Sequence, residues 1–168
     1  MMQYLFMGLM AVGIVAADQI TKYLTVQKIP LFGNVPVLEG VFHFTYVQNT
    51  GAAFSSFEGM QWLFAAVFAL FTAGVIFEFI TRKMGFTTLE RWCIAAIWAG
   101  GLGNMIDRVR LGYVVDMICT DFITFPVFNV ADIFITCGCI LLLVHLVFFN
   151  RSFWKDEKKV VESNDSDS

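Results

Sequence analysis

Asp116 and Asp132 are the residues best placed for chemistry in this chain. Asp116 follows a turn and two valines in Gly112-Tyr113-Val114-Val115-Asp116. Asp132 opens a hydrophobic stretch in Phe128-Asn129-Val130-Ala131-Asp132. A carboxylate at the edge of membrane-spanning sequence is costly, and one found there marks a functional site. Two carboxylates held together in a poor dielectric cannot both ionise easily, so the pair keeps one proton over a broad pH range. The ionised member can take a proton from water while the protonated member donates to a carbonyl oxygen, which is amide hydrolysis by acid–base catalysis. Each aspartate also has a plainer reading. Asp132 sits in a first helical turn, where the dipole favours an acid, and either carboxylate can pair with Arg108 or Arg110.

The residues around the pair are polar in an otherwise apolar chain. Asn104 and Arg108 are four apart and share a helix face. Arg108 suits a carboxylate or a substrate carbonyl. Asn129 precedes Asp132 by three residues, the N-cap spacing. Asp18 and Lys22, at i and i+4, read as an ion pair, as do Glu78 and Arg82. Gly100-Gly101-Leu102-Gly103 permits close backbone approach, for packing or for substrate. Asn49-Thr50-Gly51-Ala52-Ala53-Phe54 reads as a tight turn followed by small residues.

These residues need apolar elements to hold them. The 168 residues are 58% hydrophobic and only 15% charged, with a mean hydropathy of +0.70. That composition places the chain in a membrane as one integral domain. A net charge of −3 with no basic stripe argues against nucleic-acid partners. The expected architecture is an all-α membrane protein, with four transmembrane helices at about 4–20, 60–80, 92–109 and 127–149. The alternating stretch Val41-Phe42-His43-Phe44-Thr45-Tyr46-Val47 reads as a strand within an outer-surface β region at about 25–57. Residues from about 155 onward are acidic and expected to be disordered.

Arg82, Lys83, Arg91, Arg151, Lys155, Lys158 and Lys159 fall on the side of the termini. Lys22, Lys28, Arg108 and Arg110 fall on the other. The excess places both termini in the cytoplasm. Asp18, Arg108 and Asp132 then converge on the outer face. The segments 24–57 and 111–126 flank that face and are placed to act as a lid. No lysine or arginine precedes the first apolar run, so it is not read as a cleaved leader. Cys93, Cys119, Cys137 and Cys139 read as small packing residues. His43 and His145 lack partners at ligand spacing, so no metal or other cofactor is expected.

Taken in order, Asp18-Gln19-x-Thr21-Lys22, Asn49-Thr50-Gly51-Ala52-Ala53-Phe54, Gly103-Asn104-x-x-Asp107-Arg108, Val114-Val115-Asp116 and Phe128-Asn129-x-Ala131-Asp132 resemble the signature blocks of lipoprotein signal peptidases, the type II signal peptidases of bacteria. The resemblance implies four spans with a small extracytoplasmic β-cradle, and an aspartic endopeptidase of the cytoplasmic membrane working near the outer leaflet among membrane lipid. Its implied substrates are diacylglyceryl-modified prolipoproteins, cut just before the lipid-bearing cysteine. Globomycin-type cyclic peptides are the implied inhibitors. By motif position, Asp116 and Asp132 match the catalytic pair. Asn49, Gly103, Asn104, Arg108, Asn129 and Ala131 match substrate-binding positions, and Asp18 and Lys22 match supporting ones. Asp121 lies outside the blocks, as an extra carboxylate in an exposed loop. The competing reading is a proton-coupled transporter or channel, because intramembrane Asp and Arg also line ion paths.

Overall fold

The computed structural model of the chain describes residues 2–51 and 59–150. The expected disordered tail and residues Ala52, Ala53 and Phe54 of the turn motif lie outside the described residues. Four helices and three strands follow in the order α1 (Met2–Lys28), β1 (Asn34–Leu38), β2 (Phe42–Asn49), α2 (Gln61–Thr81), α3 (Thr88–Leu111), β3 (Val114–Thr120) and α4 (Val130–Phe148). Among the described residues, α1, α2 and α4 are long and apolar enough to cross a membrane.

The third helix differs from the others because of where it sits. It carries Glu90, Arg91, Asp107, Arg108 and Arg110, and it packs against α1, α2 and α4 together. A helix walled off from lipid by three neighbours can hold charge and small residues that a lipid-facing helix cannot. Its glycines show how. A Cβ on Gly100 would fall 2.6 Å from the Ala131 carbonyl oxygen of α4, and one on Gly101 2.9 Å from the Phe68 ring of α2. One on Gly103 would meet the Asp18 carboxylate of α1 at 2.5 Å. The glycine run therefore serves packing, one close approach for each neighbouring helix.

At the end of the bundle away from the aspartates, Thr87 and Glu90 close a capping box on α3. The buried Glu90 also meets His145 of α4 at 2.8 Å and Asn150 at 2.8 Å. The expected Glu78–Arg82 pair does not form. Arg82 ends α2 in the left-handed region, its guanidinium over the Tyr4 ring, and Glu78 pairs with Arg91 at 2.9 Å. Helix termination turned Arg82 away, and the α2–α3 turn brought Arg91 in.

The sheet is antiparallel with order β1-β2-β3. Its β2 strand covers the expected aromatic run, and Tyr46 packs with Val115 and Met117 in a small core. Two boundaries differ from expectation. First, α1 continues to Lys28, so the β region opens at Asn34 rather than near residue 25. The added turns bury Thr25 and carry α1 against β2 and β3. Second, the segment expected only as a flanking loop contains β3. Val114 and Val115 open a strand paired with β2, Val47 opposite Asp116.

The α3 packing is directly testable. Gly100→Leu must push α3 from α4 and should destabilise the fold by about 1–3 kcal/mol. Gly13→Ala adds a Cβ that meets nothing within 4 Å and should leave stability unchanged or slightly raised. Thermal unfolding of both variants in the same detergent gives the comparison.

Candidate active site

Two local devices bring Asp116 and Asp132 to one place. Phe128 exchanges backbone hydrogen bonds with Ile118, tying the entry of α4 to β3 just past Asp116. Asn129 then caps α4. Its Oδ1 accepts from the Asp132 N–H at 3.0 Å, and its own N–H donates to Asp132 Oδ2 at 3.1 Å. With its oxygen committed to the cap, the Asn129 amide nitrogen is left to donate, to Asp116 Oδ1 at 2.6 Å and to Asn104 Oδ1 at 3.1 Å. The expected cap and the expected site residue are one and the same, and Asn129 touches both aspartates.

Behind them lies a buried cation. The Lys22 ammonium, 3% exposed, sits 2.9 Å from Asp18 and 3.0 Å from Asp107. It also donates to Asn104 Oδ1 at 2.8 Å. That bond decides which way Asn104 faces, because its oxygen takes Lys22 and its nitrogen must donate to Asp132 Oδ1, at 2.8 Å. Asp18 in turn accepts from the Ala131 N–H at 3.0 Å, and Asp107 from the Val115 N–H at 3.1 Å. Gln19 bridges Asp107 at 2.9 Å and the Gly103 carbonyl at 3.1 Å. The paired acids thus grip the backbone next to each catalytic candidate, one residue before Asp116 and one before Asp132.

On the sheet side, Asn49 lies two residues beyond Val47 on the same strand face, diagonal to Asp116. Its Oδ1 accepts from the Gly51 N–H at 3.0 Å, which points its amide nitrogen at Asp116 Oδ2, 2.9 Å away. Each oxygen of both carboxylates therefore has one fixed donor and keeps lone-pair capacity for a reactant. Asp116 is buried and Asp132 half-buried. Loss of hydration raises the Asp116 carboxyl to about 6, with the Asp132 charge pushing the same way against the Asn49 and Asn129 hydrogen bonds. On the same sheet, a hydrogen bond to Tyr46 pushes the Tyr113 hydroxyl up to about 12.

Both carboxylates open into a cavity of about 530 Å³. Asn49, Asn104 and Arg108 form its polar part, while Phe125, Val127, Ile133 and Thr136 make a largely apolar remainder running along α4. Arg108 donates to the Gly51 carbonyl at 2.8 Å and stacks on Phe64, 4.3 Å from the ring centroid. Its Nε is buried without a partner among the described residues, a donor left for something entering the cavity. Gly103 and Ala131 stand apart from the cavity lining. Gly103 abuts Asp18 and Ala131 donates to it, so both belong with the supporting cluster. Gln19, Asp107 and Phe64 are the additions that sequence reading left out of the site. Asp107 had a signal, since it is i+3 from Asn104, but Phe64 reaches Arg108 only through the fold. Asp121 is exposed as expected, and it binds His43 at 2.7 Å.

The Signal peptidase (SPase) II family matches residues 10–148. A lipoprotein signal peptidase of Streptococcus pyogenes serotype M6 is 40% identical over 144 residues, covering 86% of this chain and 90% of that one. One from serotype M3 is 39% identical over the same span. A bacterial membrane enzyme solved in meso at 2.3 Å superposes with a TM-score of 0.79 at 32% identity, covering 84% of this chain and 87% of its own. A second, solved at 1.9 Å, gives 0.77 at 32% identity and covers 86% and 94%.

Two measurements test this electrostatic arrangement. Lys22→Met leaves Asp18 and Asp107 buried without their cation and should cost about 3–5 kcal/mol, lowering the thermal midpoint. Adding Asp18→Asn to that variant should recover part of the loss. For Asp116, the folded value lies above the unfolded one. Its contribution to stability is therefore full below the ordinary value of 3.8 and is lost as pH rises through about 6. Across that window the wild type should lose about 3 kcal/mol relative to Asp116→Asn. Equal pH slopes for the two proteins would contradict the shift.

Proposed function

This chain belongs to the signal peptidase II family, and from that premise we propose that it is a membrane aspartic endopeptidase that removes signal peptides from bacterial prolipoproteins. The observation that carries the reading is that Asp116 and Asp132 line one cavity and are both hydrogen-bonded to a single residue behind it, Asn129.

In this mechanism the more buried Asp116 holds the proton and Asp132, nearer the opening, is the base. Asp132 takes a proton from water as the water oxygen attacks the scissile carbonyl carbon. Asp116 gives its proton to the carbonyl oxygen, forming a neutral tetrahedral diol. Asp132 then passes its proton to the amide nitrogen, the C–N bond breaks, and Asp116 recovers a proton from the diol hydroxyl. Arg108 Nε, which has no partner among the described residues, donates to a backbone carbonyl of the substrate and holds it across the pair. Asn49, Asn104 and Asn129 keep the carboxylates in register.

The apolar wall along α4 suits the diacylglyceryl chain of a lipid-modified cysteine, with cleavage immediately before that residue. The same cavity is the site for globomycin-type inhibitors. In this reading α3 is the fourth membrane span, both termini face the cytoplasm, and the aspartates work near the outer leaflet. Membership of a peptidase family weighs against proton-coupled transport.

Asp116→Asn and Asp132→Asn should each lower the cleavage rate of a lipidated precursor in detergent by about 10²–10⁴-fold. Both variants should still insert and fold, as read by yield and size-exclusion profile. Near-normal cleavage by either variant would end the proposal.

A further inference from the structure

A second cavity, about 320 Å³ and almost wholly apolar, lies at the end of the bundle remote from the aspartates. Helices α1 and α2 both lean on α3 more than on each other, and the space between them is the cavity. Gly8 and Ala11 form one wall, Val75 and Phe79 the other, and Trp98 the floor. Gly8 faces that open space, since a Cβ there would meet no atom within 4 Å. Tyr4 and Phe79 close one end with an edge-to-face contact at 5.8 Å. The Tyr4 hydroxyl is buried with no partner among the described residues. Arg82 lies over the Tyr4 ring, 5.1 Å from its centroid. Neither Arg82 nor its neighbour Lys83 meets a carboxylate among the described residues, because Glu78, the acid of α2, is taken by Arg91.

We propose that this groove is a binding site for one anionic phospholipid, with an acyl chain lying between α1 and α2 and its phosphate held by Arg82. The groove admits a flexible hydrocarbon chain, and a slot between membrane-facing helices is reached sideways from the bilayer. The arginine fork matches a phosphate, and no carboxylate among the described residues offsets its charge. The buried Tyr4 hydroxyl supplies a donor for a headgroup or ester oxygen. The site lies away from the hydrolytic cavity and does not depend on the reaction proposed for it.

Native mass spectrometry of the full chain in detergent, titrated with dioleoylphosphatidylglycerol and with dioleoylphosphatidylcholine, tests the site. The wild type should bind the anionic lipid about fivefold more tightly. Arg82→Asn, chosen because asparagine tolerates the left-handed backbone at φ 54°, should bring the two lipids level. Gly8→Leu should fill the groove and remove tight binding of both, with thermal unfolding unchanged. Equal affinities in the wild type, or a preference that survives Arg82→Asn, would overturn the proposal. Undiminished binding by a folded Gly8→Leu protein would do the same.

Discussion

A single ammonium group organises the polar end of this molecule. Lys22 is almost fully buried between Asp18 and Asp107, in a protein whose surroundings are mostly apolar. Its charge is what lets two acids exist there, and it hydrogen-bonds the Asn104 oxygen as well. From that one bond the rest follows by donor and acceptor accounting. Asn104 can offer only its nitrogen to Asp132, and Asn129, its oxygen spent on capping α4, can offer only its nitrogen to Asp116. Buried polar networks are favourable only when each member is satisfied. Here that condition also fixes the geometry of the two carboxylates, because no side chain in the network can flip without leaving a donor facing a donor.

The backbone carries the same constraint. Asp18 and Asp107 accept from the amides of Ala131 and Val115, the residues just ahead of Asp132 and Asp116. The supporting cluster thus holds the chain on which the two carboxylates are mounted. The central position of α3 makes this possible, since α3 supplies Asn104, Asp107 and Arg108 while contacting all three other helices. Its glycines exchange side-chain volume for that contact, and the missing Cβ at Gly103 leaves the room that the Asp18 carboxylate occupies.

Much of this was legible in the sequence. The i, i+4 spacing of Asp18 and Lys22 and the N-cap spacing of Asn129 and Asp132 are local, and local spacing survives folding. The aromatic alternation marked β2 for the same reason. What escaped detection depends on distant segments. β3 is a strand because β2 lies beside it, and its Val-Val-Asp run is too short to announce itself. Glu78 met Arg91 rather than Arg82 because the chain turned between α2 and α3. Gly103 and Ala131 fell in the right blocks, yet they serve Asp18 and not the cavity, a distinction that only packing reveals. Hydropathy placed α3 within the bundle but could not show that its charges face three other helices.

The proposed mechanism requires the fixed pair to share one proton, held by the more buried Asp116. Infrared difference spectroscopy of the protonated carboxyl stretch, on protein carrying isotope-labelled aspartate, reads this most directly. The wild type should show one protonated aspartate at about pH 5 that is lost with an apparent midpoint near 6, and Asp116→Asn should lack that band. A band that persists unchanged in Asp116→Asn, or a wild type with no such band, would contradict the account.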